Sequence, residues 1–327
     1  MGASRVLLIG IGFYDYEEAI IKQLERYNFE VDYFIEFPKT RLMNLALRFN
    51  LNKLKEKLIR INNLNILSKS GLNYEYILVF KCEYITIELL KELRIRSKRG
   101  KLILYLWDSL KRINGIQEKL GIFDLVFSFD RTDTINNSKL IFHPLFFRFR
   151  DTTSNLVSKD IIYDIYFLGL DHSDRFELLK NLNIKCRELG LKTYFVLYIG
   201  RFSFFLRCLR NPSFIRYRNY FTFNTISANL NFELMLNSKC VVDLNHPDQS
   251  GLTMRTLEII ASGRKMITTN VDVKNYDFFN SENILIIDRN NPSVNIDFFD
   301  KCNVDLPEEV IERYSISSWI DKILNFQ

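Results

Sequence analysis

The stretch richest in chemistry covers residues 241–270, VVDLNHPDQSGLTMRTLEIIASGRKMITTN. An apolar run ends near Leu244, and the segment SGLT at 250–253 opens a helical pattern. Backbone N–H groups at a helix start bind anions, and a glycine there lets a phosphate approach closely. Glu258 lies about one and a half turns into that helix, where a carboxylate can accept hydrogen bonds from a ribose diol. The pattern predicts a nucleotide-binding segment; the alternative is a capped helix start with a solvated Glu258.

The elements that must position these residues alternate between strand and helix. Short apolar runs of strand length lie at 5–10, 30–35, 76–80, 102–107, 125–129, 140–143, 164–168, 193–199, 220–223, 240–244, 265–269 and 283–287. Helical spacing of apolar residues covers 16–27, 40–61, 84–98, 109–120, 174–189, 227–237, 253–262 and 307–326. Strands that alternate with helices predict parallel, doubly wound sheets.

A polar segment without periodicity, 148–159, divides this pattern into two rounds. We therefore predict an α/β fold with two Rossmann-like domains facing a cleft, one over 1–150 and one over 151–306. A helix over 307–327 follows. Ligands of such sheets bind at the carboxyl ends of the strands, so the chemistry is expected there.

Composition excludes several classes of protein. A length of 327 residues suits two domains, and 47% hydrophobic with 26% charged residues is globular rather than disordered or fibrous. Five widely spaced Cys without C-x-x-C and three scattered His predict a reducing compartment and no metal site. No apolar run approaches the roughly 18 residues of a membrane helix, and no signal-peptide pattern opens the chain. A cytoplasmic protein is predicted, and a net charge of +6 is too mild to predict a nucleic-acid partner.

The 241–270 stretch resembles the nucleotide-sugar-binding segment of GT-B-type glycosyltransferases from bacterial capsule, lipopolysaccharide and exopolysaccharide clusters, and of the CgeB-like group. The segments LWDS (106–109), FDLVFSFDRTD (123–133) and YFLGLDHSDR (166–175) fit the same family. The resemblance implies that Ser250, Gly251 and Thr253 hold the donor diphosphate and that Glu258 holds the ribose. It also implies that the 1–150 domain lies on the acceptor side and that the 151–306 domain binds the nucleotide-sugar. The last helix is then expected to cross back to the first domain, with Trp319 as its packing anchor.

One departure from the family concerns the stereochemistry. Many retaining members carry E-x7-E, and Glu258 matches the second Glu, but Ser250 stands where the first would be. Inversion is therefore favoured, and it needs a base on the first domain for the acceptor hydroxyl. Asp108 and Asp15 both follow predicted strands; the alternative for each is a helix N-cap. Gly12, in the G-x-G at 10–12, is a weaker candidate for donor contact.

The leaving nucleotide must have its charge neutralised. The chain has no D-x-D motif, so basic side chains and helix dipoles are expected instead of a metal. Arg175 (following Gly169), Arg201 and Arg255 are the candidates, and each is equally reasonable as a surface residue. No cofactor is expected beyond the nucleotide-sugar co-substrate.

Two basic stretches interleaved with apolar residues, 41–60 and 201–218, suggest contact with an anionic inner-membrane surface carrying a lipid-linked acceptor. The alternative for both is an ordinary amphipathic helix with a solvated basic face. The resemblance implies a nucleotide-sugar donor and a glycan or lipid-linked acceptor. A nucleotide-sugar epimerase, a hydrolase or a non-catalytic binding protein on this scaffold are the competing interpretations.

Overall fold

A computed structural model describes residues 4–12, 15–150 and 161–326. The chain divides into two compact units: unit 1 is Met1–Pro144 with Ile316–Gln327, and unit 2 is Leu145–Ser315. Most of the predicted 148–159 linker lies outside the described residues.

Unit 1 is built on a six-stranded parallel sheet in the order β2-β1-β3-β4-β5-β6. Its strands are β1 (Ser4–Gly10), β2 (Phe29–Ile35), β3 (Tyr76–Phe80), β4 (Lys101–Leu106), β5 (Leu125–Ser128) and β6 (Ile141–Phe142). Its helices are α1 (Tyr16–Arg26), α2 (Arg41–Arg48), α3 (Asn52–Lys69), α4 (Ile87–Arg96), α5 (Arg131–Asn136) and α12 (Ile316–Asn325). The central strands are buried on both faces, which explains their unbroken apolar runs.

The last helix, α12, belongs to unit 1. Trp319 is 1% exposed, and its ring centroid lies 4.8 Å from that of Tyr105 and 5.7 Å from that of His143. His143 Nε2 donates to the Trp319 carbonyl at 3.0 Å. Trp319 therefore packs α12 against the aromatic side chains of unit 1.

Unit 2 is built on a second six-stranded parallel sheet in the order β12-β11-β10-β7-β8-β9. Its strands are β7 (Tyr163–Leu170), β8 (Thr193–Tyr198), β9 (Phe221–Thr222), β10 (Ser238–Asp243), β11 (Lys265–Thr268) and β12 (Ile284–Ile286). Its helices are α6 (Arg175–Glu188), α7 (Arg201–Arg210), α8 (Ala228–Leu236), α9 (Met254–Ala261), α10 (Asp297–Asp300) and α11 (Glu308–Glu312). The first and fourth strands of this unit, β7 and β10, lie side by side, as in dinucleotide-binding Rossmann sheets.

The predicted fold class is confirmed, since both sheets are parallel and doubly wound, but three predicted helices differ from the structure. The 40–61 pattern is two helices, α2 and α3, separated at Asn50, whose φ is +53°. The 109–120 pattern forms only 3₁₀ turns at Leu110–Arg112 and Leu120–Ile122, with Gly115 at φ +67° between them. The 307–326 pattern is divided into α11 and α12, which belong to different units.

Candidate functional site

The order of the unit 2 sheet points to the ends of β7 and β10. The connections that leave these neighbouring strands run to opposite sides of the sheet, which opens a crevice at their carboxyl ends. The segments that border this point are 171–174, after β7, and 244–253, after β10. Of the predicted donor-binding residues, the second segment contains Ser250, Gly251 and Thr253, and Arg175 directly follows the first.

Arg175 joins the two strand ends. It is the first residue of α6, and its Nη2 donates to the carbonyl of Leu244 at 2.7 Å while Nη1 donates to that of Leu170 at 3.2 Å. Its Nε is buried and has no hydrogen-bond partner among the described residues. Burial and then the nearby Arg255 lower the pKa of Arg175 to about 10, so it remains a cation at neutral pH. Gly169 has to be small, because a Cβ there would lie 2.9 Å from the Phe167 ring.

Arg255 lies beside Arg175. The guanidinium carbon of Arg255 is 5.0 Å from the centroid of the Phe167 ring, and that of Arg175 is 5.9 Å from the same centroid. Nη1 of Arg255 is buried and also has no hydrogen-bond partner in the described parts of the chain. Two guanidinium groups thus share one aromatic ring, each with an N–H group left to donate.

The turn that opens α9 is held from both sides. Asp243 ends β10, is 2% exposed, and accepts from Thr253 Oγ1 at 3.0 Å and from Thr256 Oγ1. Thr253 is the N-cap of α9 and forms a capping box with Thr256. Asn270 Nδ2 donates to the Ser250 carbonyl at 2.8 Å. The Thr253 hydroxyl therefore caps α9. A capped helix start was the alternative interpretation of this segment.

The segment around Gly251 is packed rather than open. Gly251 is buried, and its carbonyl lies 3.5 Å from Nδ2 of Asn270. Ser250 is half-buried on the same turn. The structure thus places these two residues at the start of α9 and beside the crevice between β7 and β10.

Glu258 is not solvated. It is 3% exposed, and its Oε1 accepts from Arg148 Nε at 3.1 Å and Nη2 at 3.0 Å. The side chains of the two residues are 4% and 7% exposed, so this is a buried ion pair. Sequence reasoning missed Arg148, because 110 residues separate it from Glu258 and no local pattern marks it.

Arg289 was also missed. It follows β12, and its guanidinium donates two hydrogen bonds to the Asp174 carboxylate, of 2.7 and 2.9 Å. Its Nη2 also donates to the Asn245 carbonyl at 3.0 Å. The signal available was its place directly after a predicted strand. His172 and His246 stack across the same strand ends, with ring centroids 6.0 Å apart.

Arg201 is placed elsewhere in unit 2. It opens α7 after β8, is exposed, and lies over the Phe223 ring at 5.7 Å. The structure therefore brings Arg175 and Arg255 together and does not add Arg201 to them.

In unit 1, backbone N–H groups of the G-x-G loop after β1 already donate to a side chain of the protein. Glu17 Oε1 accepts from the backbone N–H of Ile11 at 2.6 Å and of Gly12 at 3.0 Å, and Tyr33 donates to its other oxygen at 2.8 Å. The Gly12 N–H consequently has no hydrogen left for a phosphate. Asp15 is exposed at the N-cap position of α1, and its side chain forms no capping hydrogen bond.

Asp108 follows β4 and does not cap a helix. Its carboxylate lies 3.6 Å from Lys81 Nζ and 3.2 Å from Arg112 Nε, and its side chain is 18% exposed. Lys81 also pairs with Glu83 at 2.9 Å. Burial opposes the charge of Lys81, but Glu83 and Asp108 outweigh it and raise the pKa of that amine.

An open cavity of about 320 Å³ lies beside the edge strand β2 and the helix α3. It is lined by Tyr33, Phe34, Ile35, Phe37, Lys39, Asn62, Asn65 and Ile66. Aromatic rings with two amides and an amine form a lining that suits a polar ligand with apolar faces.

No group of three or more His, Cys, Asp or Glu in the described part of the chain is arranged to hold a metal ion. Among the same residues, no helix combines the length and the apolar character needed to cross a membrane.

Comparison with known proteins shows the fold. No protein-family model and no curated protein sequence matches this chain. Among solved structures, OtsA without ligand has a TM-score of 0.62 at 12% identity over 99% of both chains. HepE of Anabaena in complex with UDP-glucose has a TM-score of 0.58 at 12% identity over 98% of both chains. A putative UDP-N-acetylglucosamine 2-epimerase from Listeria monocytogenes has a TM-score of 0.55 at 12% identity over 99% of this chain and 95% of its own. The chain therefore has the architecture of two Rossmann-like α/β units that GT-B enzymes share.

Proposed function

We propose that this protein is a metal-independent glycosyltransferase of the GT-B class. It moves a sugar from a nucleotide-sugar donor to a growing bacterial surface glycan or lipid-linked acceptor, with inversion. It works in the cytoplasm, in peripheral contact with the inner membrane. The observation that carries the proposal is the meeting of Arg175 and Arg255 over Phe167 at the point where β7 and β10 end.

The two arginines suit a diphosphate leaving group. Guanidinium groups donate in a fixed fork that matches phosphate oxygens, and such charge-assisted hydrogen bonds are stronger than neutral ones. Arg175 and Arg255 each retain a buried N–H group without a partner among the residues described. The opening of α9 at Ser250, Gly251 and Thr253 adds a helix N-terminus on the same strand end.

Glu258 is the proposed ribose contact. The two hydrogen bonds from Arg148 both end on Oε1 and fix the orientation of the carboxylate, and a carboxylate can accept hydrogen bonds from a ribose diol. In this scheme Arg148 orients the carboxylate rather than contacting the donor.

Asp108 is the proposed general base, and Asp15 is the alternative. The acceptor hydroxyl oxygen forms a bond to the anomeric carbon and its proton passes to the carboxylate. The bond from the anomeric carbon to the donor phosphate breaks, and the nucleotide leaves with the electron pair. Arg175 and Arg255 stabilise the negative charge that develops on it.

Binding experiments test the donor site. We expect one of the UDP-, GDP-, dTDP-, ADP- or CMP-linked sugars to raise the melting temperature, because a ligand that binds the folded state stabilises it. Arg255→Met should weaken that affinity by about tenfold or more, the loss typical of a charged hydrogen bond. Arg210→Met, on an exposed arginine of α7, is the control. Equal affinity in Arg255→Met, or no stabilisation by any of these sugars, would contradict the proposal.

Epimerisation is the second candidate, because a putative epimerase shares the fold over nearly the whole chain. Incubation with the bound donor alone separates the two. An epimerase converts the sugar without an acceptor, whereas a transferase leaves the donor sugar unchanged apart from slow hydrolysis.

A further inference from the structure

The net positive charge of this protein is accounted for by two helices. Residues 41–69, which span α2 and α3, hold seven Lys or Arg and one Glu. The chain has 45 basic and 39 acidic residues in all, so the remainder holds 38 of each. The whole formal excess of +6 thus equals the net charge of α2 and α3.

Large apolar side chains lie exposed among these charges. Leu42 is 55% exposed, Leu45 45% and Phe49 62%, and their spacing of three and four residues places them on one side of α2. The buried side of α2 is formed by Met43 and Ala46. An ordinary amphipathic helix would bury its apolar side and expose only its charges, and α2 does not.

The exposed apolar and basic residues are continuous along the chain into α3. We name them the α2–α3 surface: Arg41, Leu42, Leu45, Arg48, Phe49, Leu51, Lys53 and Lys57. Between Thr40 and Lys55 the sequence has no acidic residue. Lys53 and Lys57 form no salt bridge within the described residues, so this charge is not neutralised inside unit 1.

We propose that the α2–α3 surface docks on an anionic phospholipid bilayer. Leu and Phe enter the boundary between headgroups and acyl chains, while Lys and Arg contact the anionic headgroups. A second copy of this chain would bring two surfaces of the same positive charge together. A nucleic acid would meet the cations but leave Leu42 and Leu45 without an apolar partner. The proposal does not depend on glycosyl transfer.

The other basic and apolar stretch is less available for this role. Phe202, Phe205 and Leu209 of α7 are 59%, 55% and 62% exposed. Most of its arginine side chains, however, contact other residues of unit 2. Arg207 pairs with Asp171 at 2.8 Å, and Arg218 stacks on an aromatic ring at 4.3 Å. We therefore assign docking to the α2–α3 surface.

Vesicle flotation tests the assignment. The full chain should float with phosphatidylcholine vesicles that contain phosphatidylglycerol, should bind vesicles of phosphatidylcholine alone far less, and should be released by salt. Leu42→Gln/Leu45→Gln should reduce the partition coefficient by about tenfold or more, since two apolar contacts are lost. Lys53→Gln/Lys57→Gln should reduce it specifically on the anionic vesicles.

Three controls make the result specific. Ile184→Gln replaces an apolar residue of α6 that is 51% exposed. Lys139→Gln/Lys274→Gln removes the same two charges from exposed positions elsewhere. Phe202→Gln/Phe205→Gln alters the exposed side of α7. All three should bind as the unmodified protein does, with unchanged circular dichroism.

Several results would overturn the proposal. The first is no binding of the unmodified protein to anionic vesicles. The second is undiminished binding of the Leu42→Gln/Leu45→Gln protein, or loss of binding in the α7 variant instead. The third is a dimer in light scattering that dissociates in Leu42→Gln/Leu45→Gln, because a second copy would then cover this surface.

Discussion

Arg148 donates two hydrogen bonds to one oxygen of Glu258, at 3.1 and 3.0 Å, and both side chains are almost fully buried. A residue chosen from the sequence for ligand binding thus also has a structural partner. Removing the Glu258 carboxylate therefore affects the stability of the fold as well as ligand binding.

Glu258→Ala should destabilise the protein by about 3–5 kcal/mol, because it leaves Arg148 buried without a counter-charge. Urea denaturation measures this loss. Glu188→Ala breaks the exposed pair of Lys185 and Glu188 and should cost less than about 1 kcal/mol. Arg148→Met/Glu258→Leu should recover most of the stability. A stable Glu258→Ala protein would show that the pair does not contribute to folding.

Glu36 should make the protein less stable as the pH rises. It is 1% exposed, and burial raises its pKa from 4.5 to about 8, with a backbone hydrogen bond from Tyr84 acting in the opposite direction. Between pH 4.5 and 8 the folded state holds a proton that the unfolded state has lost, so the free energy of unfolding falls through this window. From pH 6.5 to 8 the fall should be about 2 kcal/mol. Glu36→Gln should abolish it in denaturation curves, and an unchanged slope would contradict this explanation.

Below pH 6.5, His143 should make the protein more stable as the pH rises. Burial lowers its pKa to about 3, although its hydrogen bond to the Trp319 carbonyl favours the proton. The contribution of His143 to the free energy of unfolding is fully present above pH 6.5 and is lost as the pH falls toward 3, because the unfolded state takes up the proton first. Between pH 5 and 6.5 the slopes of Glu36 and His143 oppose each other. The unmodified protein should be nearly flat there, and Glu36→Gln should expose the His143 slope; imidazole NMR shifts that titrate near pH 6.5 would contradict this.

Asp108→Asn should lower the rate of nucleotide release from the bound donor by about 10²–10⁴-fold if Asp108 takes the acceptor proton. The donor affinity should not change, since the base contacts the acceptor. Asp15→Asn is the matched variant, and loss of activity there with full activity in Asp108→Asn would assign the role of base to Asp15.

Addition of EDTA should leave the rate of glycosyl transfer unchanged, and loss of activity would contradict metal-independent chemistry.

The sequence predicted the elements better than the contacts between them. The strands β7 and β10 could be located from the sequence because their unbroken apolar runs reflect local constraints. The helix expected over 109–120 was wrong, because Gly115 takes a positive φ that ends any helix there. Glu17 on the Gly12 amide could be suggested by no motif, because a glycine loop looks the same whether a phosphate or a carboxylate fills it.

The return of α12 to unit 1 has a consequence for synthesis. Unit 1 is interrupted after Pro144 and resumes only at Ile316, so unit 2 is an insertion within it. The emerging chain can complete unit 2 while the Trp319 site beside Tyr105 is still empty. The apolar residues of unit 1 around Tyr105 therefore stay uncovered until α12 has been synthesised.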